Sequence, residues 1–215
     1  MTVVALSGLL GLGKSSVTEG LKADLKLFEP VEDNVYLNDY YAAPKDYALR
    51  MQLNLLIKRF ESAQVAHWHS SRGDVVIQDR TICEDFEFLV CQKRAGYIDD
   101  RDFHLYREYH NVMCGMIPMP DLVIWLECEN AVDLSMQRIA LRNRSCEAGV
   151  PREYLESLNR SYHELMPLLG KKCPVVTVDP NQPFEDVLSQ CQALVDAKHK
   201  ELRDCNDNPI YHGGF

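Results

Sequence analysis

The sequence predicts an α/β fold with one five-stranded parallel sheet and helices on both of its faces. Short runs of apolar residues alternate along the chain with long stretches that carry apolar residues at helical spacing. The predicted strands cover residues 3–6, 25–28, 75–77, 122–126 and 174–178. Uninterrupted apolar strands separated by helices are typical of a parallel sheet that is buried on both faces. Because ligands of such sheets bind beyond the carboxyl ends of the strands, functional residues are expected directly after each strand.

The first predicted strand leads into a glycine-rich turn and then into a helix, predicted from Lys14 to Lys26. Gly8 and the run Gly13-Lys14-Ser15 fit the pattern G-x-x-x-x-G-K-[ST]. The backbone N–H groups of such a turn point at phosphate oxygens, while the lysine neutralises a phosphate and the hydroxyl ligates Mg²⁺. A glycine-rich turn without a ligand is the alternative, but the strand–turn–helix context favours phosphate binding. The predicted phosphate-binding residues are Gly8, Leu9, Leu10, Gly11, Leu12, Gly13, Lys14, Ser15 and Ser16.

Length, charge and cysteine content limit the class of protein. The 215 residues are enough for one domain, predicted over residues 1–203, and the polar stretch after Arg203 predicts a flexible tail over residues 204–215. A net charge of −9 without a basic tract argues against a nucleic-acid partner. No apolar run approaches the ~20 residues that span a bilayer, and no signal peptide is visible, so no membrane partner is expected. The 8 scattered cysteines, without a C-x-x-C pair, are typical of free thiols in a reducing compartment, so a cytoplasmic location is expected.

Acidic residues follow the second and third predicted strands. Glu29 comes after the second strand and before Pro30, and Asp79 with Arg80 comes after the third. In a phosphate-binding fold, an acid in this position usually serves the metal, and a neighbouring arginine can reach a phosphoryl oxygen. The alternatives are a solvated loop acid for Glu29 and a structural ion pair for Asp79 and Arg80.

A long helix is predicted from Pro44 to about Ser71, and it carries two polar residues on one side. Gln52 and Arg59 are seven positions apart, so they lie within about 20° of one another on the helix surface. The two leucines at positions 55 and 56 are expected between them on that side. A polar stripe that faces water is the alternative.

Three arginines come close together in the second half of the chain. Arg138 and Arg142 share one face of a predicted helix, and Arg144 follows in a glycine-containing hinge that ends before Pro151. The planar guanidinium binds phosphate through two parallel hydrogen bonds, so the group predicts a mobile lid that closes on phosphates. An exposed basic turn is the alternative.

In order and spacing, these motifs resemble those of the deoxynucleoside kinase family. The resemblance covers residues 2–200 and is strongest with the kinases of deoxyadenosine, deoxyguanosine and deoxycytidine. It implies a P-loop nucleoside kinase fold with an arginine-rich lid, and a homodimer packed through the helices around residues 45–71 and 101–116. The motifs are Glu29-Pro30-Val31, Gln52 with Arg59, Asp79-Arg80-Thr81 with Asp85, and Arg138, Arg142 and Arg144 with Glu147.

The activity that the resemblance implies is transfer of the γ-phosphoryl group of ATP to the 5′-hydroxyl of a deoxynucleoside, with Mg²⁺ as cofactor. Glu29 would accept the proton of the hydroxyl, and Asp79 is the rival for this role. Asp79 would also hold Mg²⁺ together with Ser15. The residues expected to stabilise charge on the phosphates are Arg80, Lys14, Arg138, Arg142 and Arg144.

The resemblance also implies which residues bind the nucleoside and the adenine of ATP. Gln52 and Arg59 would face the base, and apolar residues stand at these two positions in members that favour thymidine. A purine deoxynucleoside or deoxycytidine is therefore expected, and the order among these three stays open. The implied contacts are Tyr41 and Glu147 for the sugar 3′-hydroxyl, Gln52, Leu55, Arg59 and Asp85 for the base, and Pro183 and Phe184 for the adenine.

Two other functions remain to be weighed. A thymidylate kinase has a similar phosphate-binding loop, but it needs a cationic site for the acceptor phosphate, whereas Glu29, Gln52 and Tyr41 fit a neutral sugar and base. A non-catalytic nucleotide-binding switch would leave Glu29 and the arginine lid without a role.

Overall fold

Five parallel strands form one sheet in the computed structural model, which describes residues 2–29, 34–142 and 150–206. Their order in the sheet is β2-β3-β1-β4-β5, and every neighbouring pair is parallel. The central strand is buried along its whole length, as its uninterrupted apolar sequence predicts. The predicted five-stranded parallel sheet is thus confirmed. The strands are β1 (Thr2–Gly8), β2 (Leu25–Leu27), β3 (Val75–Asp79), β4 (Leu122–Leu126) and β5 (Val175–Val178).

Helices cover both faces of this sheet. Successive residues of a strand point to opposite faces. The side chain of Thr2 is 2.9 Å from a ring nitrogen of His199 in the last helix, whereas Val3 packs in a cluster with Ala66 of the long third helix. The helices are α1 (Lys14–Gly20), α2 (Leu37–Ala42), α3 (Pro44–Ser71), α4 (Asp85–Arg94), α5 (Asp100–Met116), α6 (Ala131–Arg142), α7 (Arg152–Leu169) and α8 (Phe184–Asn206), with a short 3-10 helix at Ile82–Glu84.

Two helix boundaries differ from the sequence prediction. Helix α1 ends at Gly20 rather than at Lys26, because the backbone becomes extended at Leu21 and the chain then supplies β2. At the other end of the chain, α8 continues past Arg203 to Asn206. Residues 207–215 of the predicted tail lie outside the described residues.

Neither a membrane-spanning helix nor a metal-binding cluster occurs within the described ranges. None of the helices in these ranges is long and apolar enough to cross a membrane. The same ranges contain no cluster of three or more His, Cys, Asp or Glu side chains that could hold a metal ion by themselves.

The Glu87 carboxyl group on α4 is partly buried near Ser161 and Glu164 of α7, and its effect on the stability of the fold depends on pH. Burial raises the pKa of Glu87 to about 7, a hydrogen bond with Ser161 opposes the shift, and the nearby charge of Glu164 adds to it. A carboxyl whose pKa is higher in the folded chain than in the unfolded chain stabilises the fold at low pH. That contribution is lost as the pH rises through about 7.

The change Glu87→Gln is therefore expected to raise the melting temperature at about pH 8 by a few degrees, and to change it little at about pH 5. Differential scanning calorimetry at the two pH values measures the effect. Glu108→Gln, the same change at an exposed position of α5, is the matched control and is expected to change neither melting temperature appreciably. A destabilised Glu87→Gln variant at about pH 8 would contradict the argument.

Candidate active site

A cavity of about 1230 Å³ opens at the carboxyl ends of β1, β2 and β3. A site for one drug-sized ligand usually has about 300–1,000 Å³, so this cavity has room for more than one ligand. Its position agrees with the rule that ligands of parallel sheets bind beyond the carboxyl ends of the strands. Residues of the glycine-rich turn line one part of it, and residues of α3 and α4 line another.

The glycine-rich turn folds tightly over the end of β4. Gly8 has a φ of +136°, and a Cβ there would lie 2.5 Å from the backbone oxygen of Leu126, so only glycine fits. The ammonium of Lys14 lies inside the turn, where it donates hydrogen bonds to the backbone oxygens of Gly8 at 3.0 Å and Leu9 at 2.7 Å. Burial and the nearby charge of Arg80 lower the pKa of Lys14 to about 8, against the attraction of nearby carboxylates.

Asp79 at the end of β3 lies beside the first turn of α1. The Ser15 hydroxyl donates a hydrogen bond of 2.5 Å to Oδ2 of Asp79. Burial raises the pKa of this carboxyl above its usual value, and the charge of Glu29 adds to the shift, while Lys14 and Ser15 oppose it. Among the described residues, the buried Oδ1 atom of Asp79 has no hydrogen-bond partner. An unpartnered carboxylate oxygen beside a hydroxyl fits a hydrated magnesium ion, which prefers oxygen ligands and keeps several of its waters.

Glu29 follows β2 and lies between two buried arginines. Nε of Arg80 donates a 2.7 Å hydrogen bond to Oε2 of Glu29, and Nη2 of Arg59 contacts Oε1. Burial alone would raise the pKa of Glu29, but the positive charges of Arg80 and Arg59 outweigh it and lower the pKa to about 2. The ring of Phe88 lies 5.1 Å from the Arg59 guanidinium and 4.9 Å from that of Arg80. Glu29 is thus not a solvated loop acid.

The polar side chains of α3 are buried and held in fixed orientations. The Gln52 side chain is fully buried and its Nε2 donates to Oδ1 of Asp85 at 3.2 Å and to the backbone oxygen of Asp85 at 3.3 Å. Its Oε1 accepts a 3.1 Å hydrogen bond from Gln92. Asp85 also forms an ion pair with Arg59 and accepts a hydrogen bond from Tyr106. This face lines the cavity, so the alternative of a water-facing polar stripe is wrong.

Arg138 connects the glycine-rich turn to the loop after β5. Its guanidinium donates to the backbone oxygen of Leu12 at 3.0 Å and to that of Pro180 at 2.7 Å. Arg142, one turn further along α6, also lines the cavity. The other lid residues named from the sequence, Arg144 and Glu147, lie outside the described residues.

Most of the residues singled out in the sequence meet at this cavity. Gly8 and Leu9 lie in the turn but do not line it, and Asp79 and Asp85 lie behind lining side chains that they contact. Pro183 does not line it either, and Leu56 packs in the core rather than beside Leu55. The lining residues that the sequence predicted are Leu10, Gly11, Leu12, Gly13, Lys14, Ser15, Ser16, Glu29, Tyr41, Gln52, Leu55, Arg59, Arg80, Arg138, Arg142 and Phe184.

Sequence reasoning missed several residues of the site. Gln92 and Phe88 lie on α4, which was not predicted as a helix, and Tyr154 reaches the cavity from α7. Glu84 contacts Arg80 from behind, and only its position in a capping box with Thr81 could have drawn notice to it.

Comparison with known proteins assigns the family. A family model described as "Deoxynucleoside kinase" matches residues 4–202. The chain belongs to the deoxynucleoside kinase family. It is an enzyme that transfers a phosphoryl group from ATP to a deoxynucleoside, and the thymidylate kinase reading is not supported.

Individual relatives agree with this assignment. A deoxyadenosine kinase of Dictyostelium discoideum is 36% identical over 216 residues, which cover 99% of this kinase and 85% of the relative. A deoxyguanosine kinase of the same organism is 31% identical over 191 residues, or 86% of this kinase and 66% of the relative. A solved structure of deoxyadenosine kinase from M. mycoides, with the products dCMP and a flexible dCDP bound, superposes with a TM-score of 0.79. It is 26% identical in sequence, and the match covers 91% of this kinase and 100% of that chain.

The lowered pKa of Lys14 predicts how triphosphate binding depends on pH. The phosphates need the charged ammonium, so above a pKa of about 8 binding must take up a proton, and the affinity for ATP is expected to fall about tenfold per pH unit. Isothermal titration calorimetry between about pH 7.5 and about pH 9.5, in buffers of different ionisation enthalpy, measures both the affinity and the proton uptake.

Two variants complete this experiment. Lys58→Met, which removes a partly exposed lysine of α3 outside the cavity, is expected to keep the pH dependence of the unchanged enzyme. Lys14→Met is expected to bind ATP weakly, and its affinity is expected not to depend on pH in this range. Constant affinity and no proton uptake across the range in the unchanged enzyme would refute the role of Lys14.

Proposed function

We propose that this kinase phosphorylates the 5′-hydroxyl of deoxyadenosine, uses deoxycytidine as a second substrate, and works with ATP and Mg²⁺. The observation that carries the choice of base is the fixed orientation of the Gln52 amide between Asp85 and Gln92. The deoxyadenosine kinase that is 36% identical over nearly the whole chain supports the same substrate.

The glycine-rich turn and its neighbours would bind the donor. Lys14 would leave the two backbone oxygens that it contacts now and bind the phosphates, and Arg138 and Arg142 would close on them from α6, followed by Arg144. Phe184, whose ring lies in the cavity wall beyond the turn, would pack on the adenine of ATP, with Pro183 supporting the loop.

Ser15 and Asp79 would hold the magnesium ion, with the unpartnered Oδ1 of Asp79 as the free ligand or as the acceptor of a metal-bound water. Magnesium bound there would neutralise charge on the β- and γ-phosphates.

Glu29, rather than Asp79, would accept the proton of the 5′-hydroxyl. Its low pKa means that it is ionised throughout the working pH range, so it can always accept a hydrogen bond from the hydroxyl. Because bonding to the attacking oxygen is weak in a loose transition state, the proton leaves late, when the hydroxyl has become strongly acidic, and a weak base suffices. Asp79 is already engaged by Ser15. Arg80 would contact the transferring phosphoryl group.

Sugar selection would depend on Tyr41 and Glu147. Tyr41 lies in the cavity wall on α2, where its ring can pack against the deoxyribose and leave no space for a 2′-hydroxyl. Both residues would bind the 3′-hydroxyl, as the family resemblance implies.

Oε1 of Gln52 has a second lone pair for the base, and Nε2 would donate to the base by giving up its 3.3 Å hydrogen bond to the Asp85 backbone oxygen. The base thus meets one acceptor and one donor in a fixed order. Flipping the amide would turn its oxygen toward the carboxylate of Asp85, which is held by Arg59, so the order cannot easily reverse. Adenine and cytosine both present an amino group beside a ring nitrogen that accepts a hydrogen bond. Guanine and thymine present a carbonyl beside a ring N–H, which is the opposite order. The site therefore favours amino bases over oxo bases, with Leu55 packing beside the base.

A homodimer would form through α3 and α5. Each helix has exposed apolar side chains spaced to lie on one face, and the two helices pack side by side. Contiguous exposed apolar surface of this kind is typical of protein interfaces. The residues are Ile57, Val65 and Trp68 on α3 and Leu105, Tyr109, Val112 and Met116 on α5. Free thiols at all seven cysteines in the described part of the chain support a reducing, cytoplasmic location.

The change Glu29→Gln is expected to lower kcat by about 10²–10⁴ while the KM for the nucleoside changes little, because the amide keeps the shape but cannot accept the proton. A coupled assay of ADP release measures both constants. Glu61→Gln, at an exposed position of α3, is the control for the loss of a carboxylate. An unchanged kcat would exclude Glu29 as the base.

A panel of the four deoxynucleosides tests the proposed substrate. With saturating ATP, kcat/KM is expected to be highest for deoxyadenosine and next for deoxycytidine. Deoxyguanosine and thymidine should be lower by about tenfold or more, since they leave buried polar groups unmatched. In Gln52→Leu the difference between deoxyadenosine and deoxyguanosine is expected to shrink. If the unchanged enzyme preferred deoxyguanosine, the proposed preference for amino bases would be refuted, but the kinase activity would not.

A further inference from the structure

A second acidic residue lies behind Arg80 and is outside the cavity. The Glu84 carboxylate is fully buried and does not line the cavity, so it cannot touch a substrate. Its Oε2 accepts hydrogen bonds from the Ser7 hydroxyl at 2.7 Å and from the Tyr162 hydroxyl at 2.6 Å, and it lies 3.4 Å from Nη1 of Arg80. Its Oε1 accepts from the backbone N–H of Thr81 at 2.7 Å. A single carboxylate thus connects β1, the end of β3 and α7.

Tyr162 supports the same guanidinium from α7. Its side chain is fully buried in the main core and does not line the cavity. Nη1 of Arg80 donates a 2.5 Å hydrogen bond to the Tyr162 hydroxyl, which in turn donates to Glu84. Arg80, Tyr162 and Glu84 therefore form a closed triangle of hydrogen bonds at the back of the guanidinium.

Arg80 lies at a strained backbone position, and its guanidinium has further contacts. Its φ of +72° lies in the left-handed region, which is unfavourable for a residue with a Cβ. Nη1 also donates to the backbone oxygen of Gly8 at 3.1 Å, which links the guanidinium to the first glycine of the turn. Nε on the other side binds Glu29. Arg80 thus has one carboxylate partner inside the cavity and another one behind it.

The two partners differ in what the reaction requires of them. Glu29 must turn to the 5′-hydroxyl when the nucleoside binds, and its bond to Arg80 weakens as it does so. Glu84 cannot reach a ligand and keeps its contacts. A buried guanidinium that lost its single counter-ion would be free to move toward other acceptors, and a misplacement of about 1 Å can cost about a hundredfold in rate.

We propose that Glu84 and Tyr162 are positioning residues that hold Arg80 at the transferring phosphoryl group while Glu29 exchanges its arginine partners for the substrate hydroxyl. The proposal rests on the proposed role of Arg80 in contacting that group. Glu84 is the permanent counter-ion of Arg80, and Glu29 is the exchangeable one.

The test is steady-state kinetics of Tyr162→Phe and Glu84→Gln with saturating ATP and deoxyadenosine. Both variants preserve shape and are expected to lower kcat by about tenfold or more, the effect of a hydrogen bond to a charged group, while KM values stay within about threefold. Met166→Leu, a packing change one turn further along α7 in the same core cluster, is the control and is expected to keep kcat. Circular dichroism at the assay temperature checks that each variant is folded.

A double-mutant cycle separates positioning from packing. Arg80→Lys keeps a positive charge but loses the planar fork, and it is expected to lower kcat by itself. Adding Tyr162→Phe to Arg80→Lys is then expected to cause little further loss, because Tyr162 acts through the guanidinium. Additive losses in the cycle, or an unchanged kcat in folded Tyr162→Phe, would overturn the proposal. An unchanged kcat in Arg80→Lys alone would instead refute the role of Arg80, and a wild-type enzyme without deoxynucleoside kinase activity would refute the function itself.

Discussion

The site depends on the burial of two guanidinium groups around one carboxylate. Arg59 comes from α3 and Arg80 from the end of β3, and Glu29 between them follows β2. An unpaired charge in such a place would cost several kcal/mol, so each of these groups holds the others in position. Phe88 of α4 packs against both guanidinium groups and excludes water from one side of the cluster. The polar groups at the acceptor end of the cavity are therefore held by charge, and Glu29 can turn to a substrate only by exchanging these partners.

The order of the strands brings this cluster to the phosphate-binding turn. Strand β3 lies between β2 and β1, with Leu6 of β1 beside Asp79 and Leu27 of β2 beside Gln78. The residues that follow the three strands must then lie next to one another at the same edge of the sheet. Arg80 makes the connection directly, since it contacts both Glu29 and the backbone of Gly8. One side chain, that of Arg80, thus connects the part of the cavity proposed to bind ATP with the part proposed to bind the nucleoside.

Site residues could be predicted from the sequence where their position depends on a local pattern or on the end of a strand. Glu29 and Asp79 could be found because each follows an apolar strand, and Gln52 and Arg59 because seven residues bring a side chain back to the same helix face. The contact between Glu84 and Tyr162 could not be predicted, because 78 positions separate the two residues. Nothing in their own segments indicates that α7 packs beside the turn. The end of α1 was misjudged for a similar reason, since the chain leaves the helix at Leu21 to pair β2 with β3, and that pairing is a tertiary contact.

Several charged groups of the cavity are paired with protein partners that a substrate can replace. Lys14 binds two backbone oxygens, Arg138 binds two more, and Glu29 binds two arginines. If these groups were left without partners in a buried site, each would lose hydration with no compensation, and the folded state would be destabilised accordingly. When a substrate replaces a protein partner, each buried group exchanges one hydrogen bond for another. The group then has a partner both before and after the substrate binds. Such exchange also requires that the side chains keep their places while partners change, and only contacts behind the cavity, out of reach of any ligand, can provide this.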